Sequence, residues 1–205
     1  MLATFFAGAA QANIVTNPGF ETLSGPDLDG WTESGDTSET ELYPLFSHSG
    51  RRSAFLGTCP YVDEPRCLGS TGSIAQTLAT TAGASYDIEF WLNAETTPNF
   101  LSVSFDDVIL DSFTDITTFP DEPCAHPSPI GPGGCYTLFS YTAVASSAST
   151  DLVFTFQHDT WGFNLDDVSV EATTAVPESG SLPLVAVGLI ALLALRRRYG
   201  SAANC

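Results

Sequence analysis

Two pairs of adjacent aspartates, Asp106-Asp107 and Asp166-Asp167, have the residue types for carboxylate catalysis. A glycosidase uses two carboxyl groups that flank one bond of a sugar. Neighbouring residues of a strand point to opposite faces, however, and Asp-Asp is also frequent in turns. The chain has no Gly-x-Ser-x-Gly elbow, His-Glu-x-x-His helix or phosphate loop, and His48, His126 and His158 are dispersed. We therefore expect no enzymatic activity.

Aromatic residues beside amides and carboxylates indicate a different chemistry, the recognition of carbohydrate. Aromatic rings stack on the apolar faces of sugars, and polar groups orient the hydroxyls. The competing interpretation is that these aromatics pack under long loops as small satellite cores. Tyr43 and Tyr61 lie in loops that could rim the binding face. The candidate ligand-binding residues are Trp31, Glu89, Trp91, Asn93, Gln157 and Trp161.

Charge and composition restrict the partners and the compartment. The formal net charge is −18, with 24 acidic residues, six arginines and no lysine. A surface this negative repels phosphate backbones, so nucleic acid is excluded as a partner. It favours solubility outside the cell and affinity for divalent cations. Abundant Ser, Thr, Phe and Val with little Lys or Glu argues against a helical domain.

Four cysteines precede the C-terminal segment: Cys59, Cys67, Cys124 and Cys135. An even number in an exported chain predicts two disulfides with three alternative pairings. We favour Cys59–Cys67 and Cys124–Cys135, since each would close a Pro-rich loop and neither requires distant loops to meet. Zinc is the competing interpretation, but seven and ten intervening residues match no common zinc finger.

Alternation of apolar and polar residues predicts strands along most of the chain, without an amphipathic helix between them. This pattern is typical of an all-β antiparallel sandwich or jelly roll. The excursions at 23–52 and 114–135 interrupt it and are natural places for function. The predicted strands cover 53–57, 73–79, 85–93, 101–106, 108–113, 136–144, 152–157 and 163–171.

Several stretches resemble galactose-binding-like carbohydrate-binding modules. Residues 13–21, Asn-Ile-Val-Thr-Asn-Pro-Gly-Phe-Glu, with the later Gly30-Trp31, are similar to the opening of these modules. The sequence from His48 to Ala54 resembles the turn before their third strand, and 74–78 with 86–92 resembles the sheet that follows. Residues 163–170, Phe-Asn-Leu-Asp-Asp-Val-Ser-Val, are similar to the closing strand. The resemblance implies a jelly roll and leaves the ligand open.

The same resemblance implies a structural calcium site. In the family, the Glu of the Gly-Phe-Glu turn and an Asp of the last strand bind the ion with carbonyls of the Ser-Gly turn. Here the ligands would be Glu21 and Asp166, with backbone oxygens from Ser49 to Arg51. Calcium takes six to eight oxygen ligands. Asp167 is expected on the opposite face of a regular strand. The alternative is that these carboxylates are solvated, with Asp166 capping a turn.

The C-terminus has the order of a membrane stop: Val176-Pro177-Glu178-Ser179, an apolar run at 182–195, then Arg196-Arg197-Arg198. The run would span about 21 Å as a helix, against about 30 Å of hydrocarbon, and basic residues stay in the cytoplasm. A buried core helix is the alternative for such a short run. The tail resembles a PEP-CTERM sorting signal, with Ser179 in place of the second proline. The resemblance implies an exosortase as partner and passage through the inner membrane.

The N-terminus agrees with export, since a small apolar stretch ends in the Ala-x-Ala pattern Ala10-Gln11-Ala12. No basic residue precedes it, so we interpret it as a truncated signal peptide; the alternative is a truncated buried strand. The expected organisation is a signal peptide at 1–12, a sandwich ectodomain at 13–171, a linker at 172–181, a transmembrane sorting helix with its arginines at 182–198, and a cytoplasmic tail at 199–205.

We therefore expect an exported, non-enzymatic protein of the cell surface or extracellular matrix that binds exopolysaccharide or another carbohydrate. The alternative is a structural or adhesive matrix protein that binds proteins or itself with calcium. Whether the tail is cleaved depends on how Ser179 affects recognition. The two outcomes are a processed surface protein and a domain tethered to the inner membrane.

Overall fold

The computed structural model describes residues 12–22, 28–44, 46–59, 69–94, 96–118, 135–158 and 161–173. The first eleven residues lie outside these ranges, as does everything from residue 174 onward. The expected sorting motif (Val176, Pro177, Glu178), the apolar segment and the arginine cluster (Arg196, Arg197, Arg198) therefore stay predictions. No helix within the described ranges is long and apolar enough to cross a membrane.

The described ranges contain ten strands. Strands β3 to β10 lie where alternation predicts strands, whereas β1 and β2 lie inside the excursion expected at 23–52. The expected excursion at 23–52 therefore contains two strands, of four and three residues, which are too short for alternation to reveal. The strands are β1 (Thr32–Gly35), β2 (Glu41–Tyr43), β3 (Ser53–Gly57), β4 (Gly72–Ala79), β5 (Ser85–Ala94), β6 (Asn99–Phe105), β7 (Val108–Thr114), β8 (Thr137–Val144), β9 (Ser149–His158) and β10 (Gly162–Ala172).

Two five-stranded antiparallel sheets make up the sandwich. The first sheet has the order β1-β4-β9-β6-β7 and the second has the order β2-β3-β10-β5-β8. Strands β4 and β9 pair over eight residues, and β5 pairs with β8 over eight. The predicted all-β antiparallel sandwich is confirmed.

The core lies between the sheets and follows the period of two. The inward residues of β5 are buried: Tyr86, Ile88, Phe90 and Leu92. Asp87, Glu89 and Trp91 alternate with them and face outward. Each fully buried side chain of this size contributes about 1.5–3 kcal/mol. The outward face of β5 is therefore fixed by burial of the inward face, and this places its polar residues on the outer surface of the second sheet.

The edge strands β7 and β8 close one side of the sandwich. The Tyr141 hydroxyl donates to Asp111 Oδ2 at 2.9 Å, and the rings of Phe113 and Phe139 meet edge to face at 5.0 Å. Burial, the hydrogen bond to Asp111 and the charge of that carboxylate all raise the pKa of Tyr141. The phenol therefore stays protonated and keeps the two edges joined at physiological pH.

The segment before β1 is attached to both sheets. Ile14 N donates to Val170 O at 3.0 Å, and Asn13 exchanges side-chain hydrogen bonds with Val168 and Val170 of β10. The Gln76 amide of β4 accepts from Thr16 N and donates to Thr16 O. These contacts fix the path of the chain toward Glu21.

The cysteine-containing loops are only partly within the described ranges. Cys67 and Cys124 lie outside them, so the pairings Cys59–Cys67 and Cys124–Cys135 stay predictions. Near Cys59, the Asp36 carboxylate accepts from Cys59 N, Ser70 Oγ and both donors of Ser38. Burial alone would raise the pKa of Asp36, but these hydrogen bonds outweigh it and lower the pKa to about 2.

Candidate functional site

A β-bulge in β10 brings Asp166 and Asp167 to the same outer face of the second sheet. The register with β5 shifts between Asp166 and Ser169, and Asp167 has a left-handed φ of 46°. Leu165 and Val168 both point into the core, so the two aspartates between them both point outward. The expectation that Asp167 faces away from Asp166 is therefore wrong, because the strand is not regular at this point.

The turn at residues 47–52, which we call the donor turn, binds both aspartates. The backbone amides of His48 and Ser49 donate to Asp166 Oδ2 at 2.7 and 3.1 Å. The Ser49 hydroxyl donates to Asp167 Oδ1 at 2.8 Å, and His48 Nδ1 lies 2.7 Å from Asp167 Oδ2. The donor turn is therefore joined to β10 by four contacts.

The same turn holds Glu21 on its other side. The amides of Arg51 and Arg52 both donate to Glu21 Oε1, and Arg52 Nη1 lies 3.9 Å from Oε2. Gly50 has a φ of +59°, and a Cβ there would overlap the Glu21 carboxylate. Glycine is thus required at position 50 both by the backbone conformation and by the close approach of Glu21.

A tight turn before Glu21 delivers this carboxylate to the site. Phe20 N donates to Asn17 O at 3.2 Å, and Asn17 and Phe20 both have positive φ. The Phe20 ring is fully buried and stacks on Trp31 at 5.5 Å. A Cβ on Gly19 would lie 3.3 Å from Asp167 Oδ1 and 3.6 Å from Asp166 Oδ1. Glu21, Asp166 and Asp167 therefore gather around one turn, and we call them the carboxylate cluster.

Electrostatics disfavour the ionised form of Asp166, the buried member of this cluster. Burial raises the pKa of Asp166 to about 7, and the charge of Asp167 acts in the same direction, against the amides of Ser49, Asp167 and His48. Asp166 is fully buried, whereas Asp167 has a side chain 31% exposed. A buried carboxylate beside a second one gains from any nearby positive charge. The ionised form of Asp166 would therefore be stabilised by a cation placed beside it.

Two residues of the cluster have the ligand type that calcium prefers. Carboxylate oxygens are preferred ligands of calcium, and Glu21 and Asp166 supply them from opposite sides of the donor turn. The hydroxyl of Ser47, in the same turn, is buried and has no hydrogen-bond partner among the described residues. Within those residues no group of three or more His, Cys, Asp or Glu side chains is arranged to hold a metal. A calcium ion here would therefore rely on backbone oxygens for part of its shell.

A polar groove lies on the same outer face, between β5 and β10. It has a volume of about 170 Å³ and is lined by Asp87, Glu89, Ser169 and Glu171. We call it the β5–β10 groove. Neighbouring hydroxyls orient its carboxylates: Ser140 donates to Glu89 at 3.1 Å, Thr142 to Asp87 at 2.9 Å and Ser169 to Glu171 at 3.4 Å.

Trp91 lies on the same face as Glu89, two residues further along β5. Its indole is half-buried and stacks on the His48 ring at a centroid distance of 3.8 Å and an angle of 11°. Leu138 of β8 is opposite Trp91 in the register and is 42% exposed. Carboxylates thus line the groove, and the stacked rings of Trp91 and His48 lie next to it along β5, on the side of the donor turn.

The other predicted ligand residues do not lie at this groove. Trp31 is buried in the core against Phe20 and Phe154, so it cannot rim a binding face. Asn93 is buried and bonded to Asn164 and Cys135 O. Gln157 is on β9 of the first sheet. Trp161 is 46% exposed and packs edge-on against Phe55 at the start of β10.

Two further observations complete the comparison with the expected site. Tyr43 packs in a satellite cluster with Phe46 and Phe55, and Tyr61 lies outside the described ranges. The sequence analysis missed Asp87, Ser169 and Glu171. Asp87 lies two residues before Glu89 on the same strand, so alternation predicts that it faces the same side. The outward orientation of Ser169 and Glu171 depends on the bulge in β10, which the sequence pattern does not reveal.

No protein-family model matches the chain, and no curated protein matches its sequence significantly. Solved structures do match in fold. TmCBM61 in complex with β-1,4-galactotriose has a TM-score of 0.52 at 13% identity, over 79% of this chain and 99% of that one. The CBM22-1 xylan-binding domain of Paenibacillus barcinonensis Xyn10C has a TM-score of 0.50 at 11% identity, over 83% and 100%.

A third match is the enzymatically active domain of tailspike protein 4 of bacteriophage CBA120. Its TM-score is 0.52 at 15% identity, over 78% of this chain but only 21% of the phage protein. At such identities the likeness concerns the fold. The chain therefore has a β-sandwich fold similar to those of the carbohydrate-binding modules TmCBM61 and CBM22-1.

Proposed function

We propose that this protein is an exported carbohydrate-binding module whose binding surface is the β5–β10 groove with Trp91 at its end. The observation that carries the proposal is the placement of four polar groove residues beside an aromatic pair, on one face of a sandwich. Carboxylates accept hydrogen bonds from sugar hydroxyls, and a bond to a charged acceptor contributes about 1.5–3 kcal/mol. The indole supplies apolar surface for a sugar ring.

The first ligands to test follow from the matched structures. TmCBM61 was crystallised with β-1,4-galactotriose and CBM22-1 binds xylan, so galactan and xylan oligosaccharides belong in the panel. The exopolysaccharide of the producing organism is the third probe, since the tail predicts delivery to an extracellular matrix. Affinity electrophoresis and calorimetry with the ectodomain at 13–171 measure retention and dissociation constants.

Matched variants distinguish this groove from other surfaces. We expect Trp91→Ala and Glu89→Gln each to weaken binding about tenfold, from the loss of a stacking contact or a charge-assisted hydrogen bond. The controls are Trp161→Ala, the other partly exposed tryptophan, and Glu41→Gln, an exposed glutamate on β2. Both should bind as wild type. Absence of binding to all three probes would refute the function, and equal losses in the controls would refute the site.

We propose calcium as a structural ion at Glu21 and Asp166, completed by backbone oxygens between Ser49 and Arg51. When bound, it would neutralise the carboxylate cluster and hold the segment before β1 against β10. The cluster supports this because Asp166 is a fully buried carboxylate beside Asp167. The ion has no part in contacting the sugar.

We propose surface delivery by an exosortase acting at Val176-Pro177-Glu178, with Arg196 to Arg198 as the cytoplasmic stop. The support is the order of motif, apolar run and arginines in the sequence. Mass spectrometry of protein from cell-surface and culture fractions tests it. A C-terminus between residues 177 and 181 is expected. A chain still carrying its arginines would instead mean a domain tethered to the inner membrane.

A second candidate function, adhesion to proteins or to further copies, is favoured by one observation. Val108 and Ile109 beside the β6–β7 turn and Val144 at the end of β8 are each at least 60% exposed. The Asp106 carboxylate accepts from Ser146 N at 2.7 Å and joins the two turns. Calcium-dependent association that survives Trp91→Ala but not Ile109→Ser would support adhesion over sugar binding.

A further inference from the structure

The His48 ring lies flat on the indole of Trp91, the aromatic residue at the end of the β5–β10 groove. The ring centroids are 3.8 Å apart and the planes are within 11° of parallel. Neither residue belongs to the hydrophobic core between the sheets. Their stacking therefore contributes to the outer surface of the second sheet.

His48 is itself held on several sides. Its amide donates to Asp166 Oδ2 and its Nδ1 lies 2.7 Å from Asp167 Oδ2. The ring of Tyr136 meets it edge-on at 5.6 Å, and the Tyr136 hydroxyl donates to the backbone oxygen of Phe46, just before the donor turn, at 2.6 Å. The side chain is only 17% exposed. The imidazole has little freedom to leave this position.

A half-buried tryptophan at a strand surface can adopt more than one rotamer, and ordering it on ligand binding costs free energy. A fixed ring stacked against one face removes that freedom in advance. We infer that His48 is a positioning residue, which Asp167 and the donor turn hold in place and which fixes the Trp91 indole at the groove. The affinity part of this inference rests on the proposed carbohydrate function, whereas the orientation of the indole does not.

Fluorine NMR of the ectodomain labelled with 5-fluorotryptophan tests this, because the line width of the Trp91 resonance reports whether the indole keeps one conformer or exchanges between several. The chain has three tryptophans, and Trp91→Phe assigns the resonance of interest. We expect His48→Ala to shift and broaden this resonance and to increase its solvent isotope shift. The resonance of Trp31, buried in the core, serves as a fold control. His48→Phe keeps a flat ring but loses the contact with Asp167, so it should restore the wild-type signal in part.

Carbohydrate binding supplies the second arm of the test. For whichever of the galactan, xylan or exopolysaccharide probes the wild type binds, His48→Ala should weaken binding about 2–10-fold, the range for one aromatic pair, and His48→Phe should recover part of that loss. Asp167→Ala should give an intermediate loss, because it releases the imidazole without removing it. An unchanged Trp91 resonance in His48→Ala would overturn the inference. A changed resonance with no binding of any probe by the wild type would refute the carbohydrate function alone.

Discussion

Asp166→Asn tests whether the carboxylate cluster is a calcium site. The substitution keeps the shape of the side chain but removes its charge. In the wild type Oδ2 accepts from two amides of the donor turn and Oδ1 accepts from Asp167 N at 2.8 Å. If the Asn oxygen replaces Oδ2, its NH₂ group faces the Asp167 N–H. One hydrogen bond is then lost and a buried donor is left without an acceptor.

The size of the effect follows from these contacts. Losing a charge-assisted bond and leaving a buried donor unsatisfied costs about 2–4 kcal/mol. Burial and the charge of Asp167 already disfavour the ionised Asp166 and raise its pKa to about 7. The uncharged Asn relieves both effects, so in EDTA we expect a net cost of only about 1 kcal/mol. For a domain of this size the melting temperature should then fall by about 2–4 °C. Bound calcium at a hundred times its dissociation constant adds about 2.7 kcal/mol to the wild type, and we expect the variant to gain none.

Thermal unfolding with EDTA and with a calcium series provides the assay. Wild type, Asp166→Asn and Glu21→Gln are measured together with Asp151→Asn. Asp151 is an exposed aspartate of β9 that bonds to Thr77 on the first sheet, so this control makes the same charge change away from the cluster. It should respond to calcium as the wild type does. Magnesium at equal concentration separates specific binding from screening of the net charge.

Two results would refute the reasoning. A wild type whose melting temperature is the same in EDTA and in calcium would mean that the amides of the donor turn satisfy the carboxylates by themselves. An Asp166→Asn variant that keeps the full calcium response would place the ion elsewhere. A lower stability of Asp166→Asn in EDTA, taken by itself, would show only that the lost hydrogen bond stabilises the fold.

Three further predictions concern stability. The pKa of Asp36 is lowered to about 2 in the folded state, so its contribution to the free energy of unfolding is present above about pH 4 and is lost as pH falls through 2. After solvent screening, Asp36→Asn should remove about 1 kcal/mol of this free energy. Urea unfolding at pH 2 and 6 measures the difference. Gly50→Ala should cost about 1–3 kcal/mol, because it strains the left-handed backbone and displaces Glu21, and a stable Gly50→Ala would contradict the close packing of the donor turn. Phe154→Ala should cost about 3–5 kcal/mol, whereas Thr155→Ala on the outer face should cost under 1 kcal/mol.

The β-sandwich could be predicted because alternation is imposed by burial. In β5 and β9 every second residue is apolar, and the structure buries those residues. The short strands β1 and β2 could not be predicted, since they lie at sheet edges and their sequences carry no alternation. Trp31 shows a different limit. Its aromatic surface suits a sugar platform and a core equally, and only the stacking on Phe20 and Phe154 decides for the core.

The site was predicted in part, for reasons that are local. Glu21 and Asp166 do meet the turn that contains Ser49 and Arg51, but they accept hydrogen bonds from its backbone amides, and the calcium site that the resemblance implied stays a prediction. The participation of Asp167 depends on its left-handed backbone, which a regular strand does not allow. Alternation predicts outward positions for Asn93 and Gln157. Neighbouring segments bury Asn93, and Gln157 lies on the other sheet, so neither residue is at the groove.

One extra residue in β10 produces both candidate sites. Between Trp91 and Glu89, β5 advances two residues, whereas the paired positions on β10, Asp166 and Ser169, are three apart. In a regular strand with Asp166 outward, the next outward residues would be Val168 and Val170, which the structure buries instead. The bulge sends these valines to the core and turns Ser169 and Glu171 outward, opposite Glu89 and Asp87. The same insertion places Asp167 beside Asp166 and under His48, so the carboxylate cluster, the stacked indole and the groove are consequences of a single irregularity.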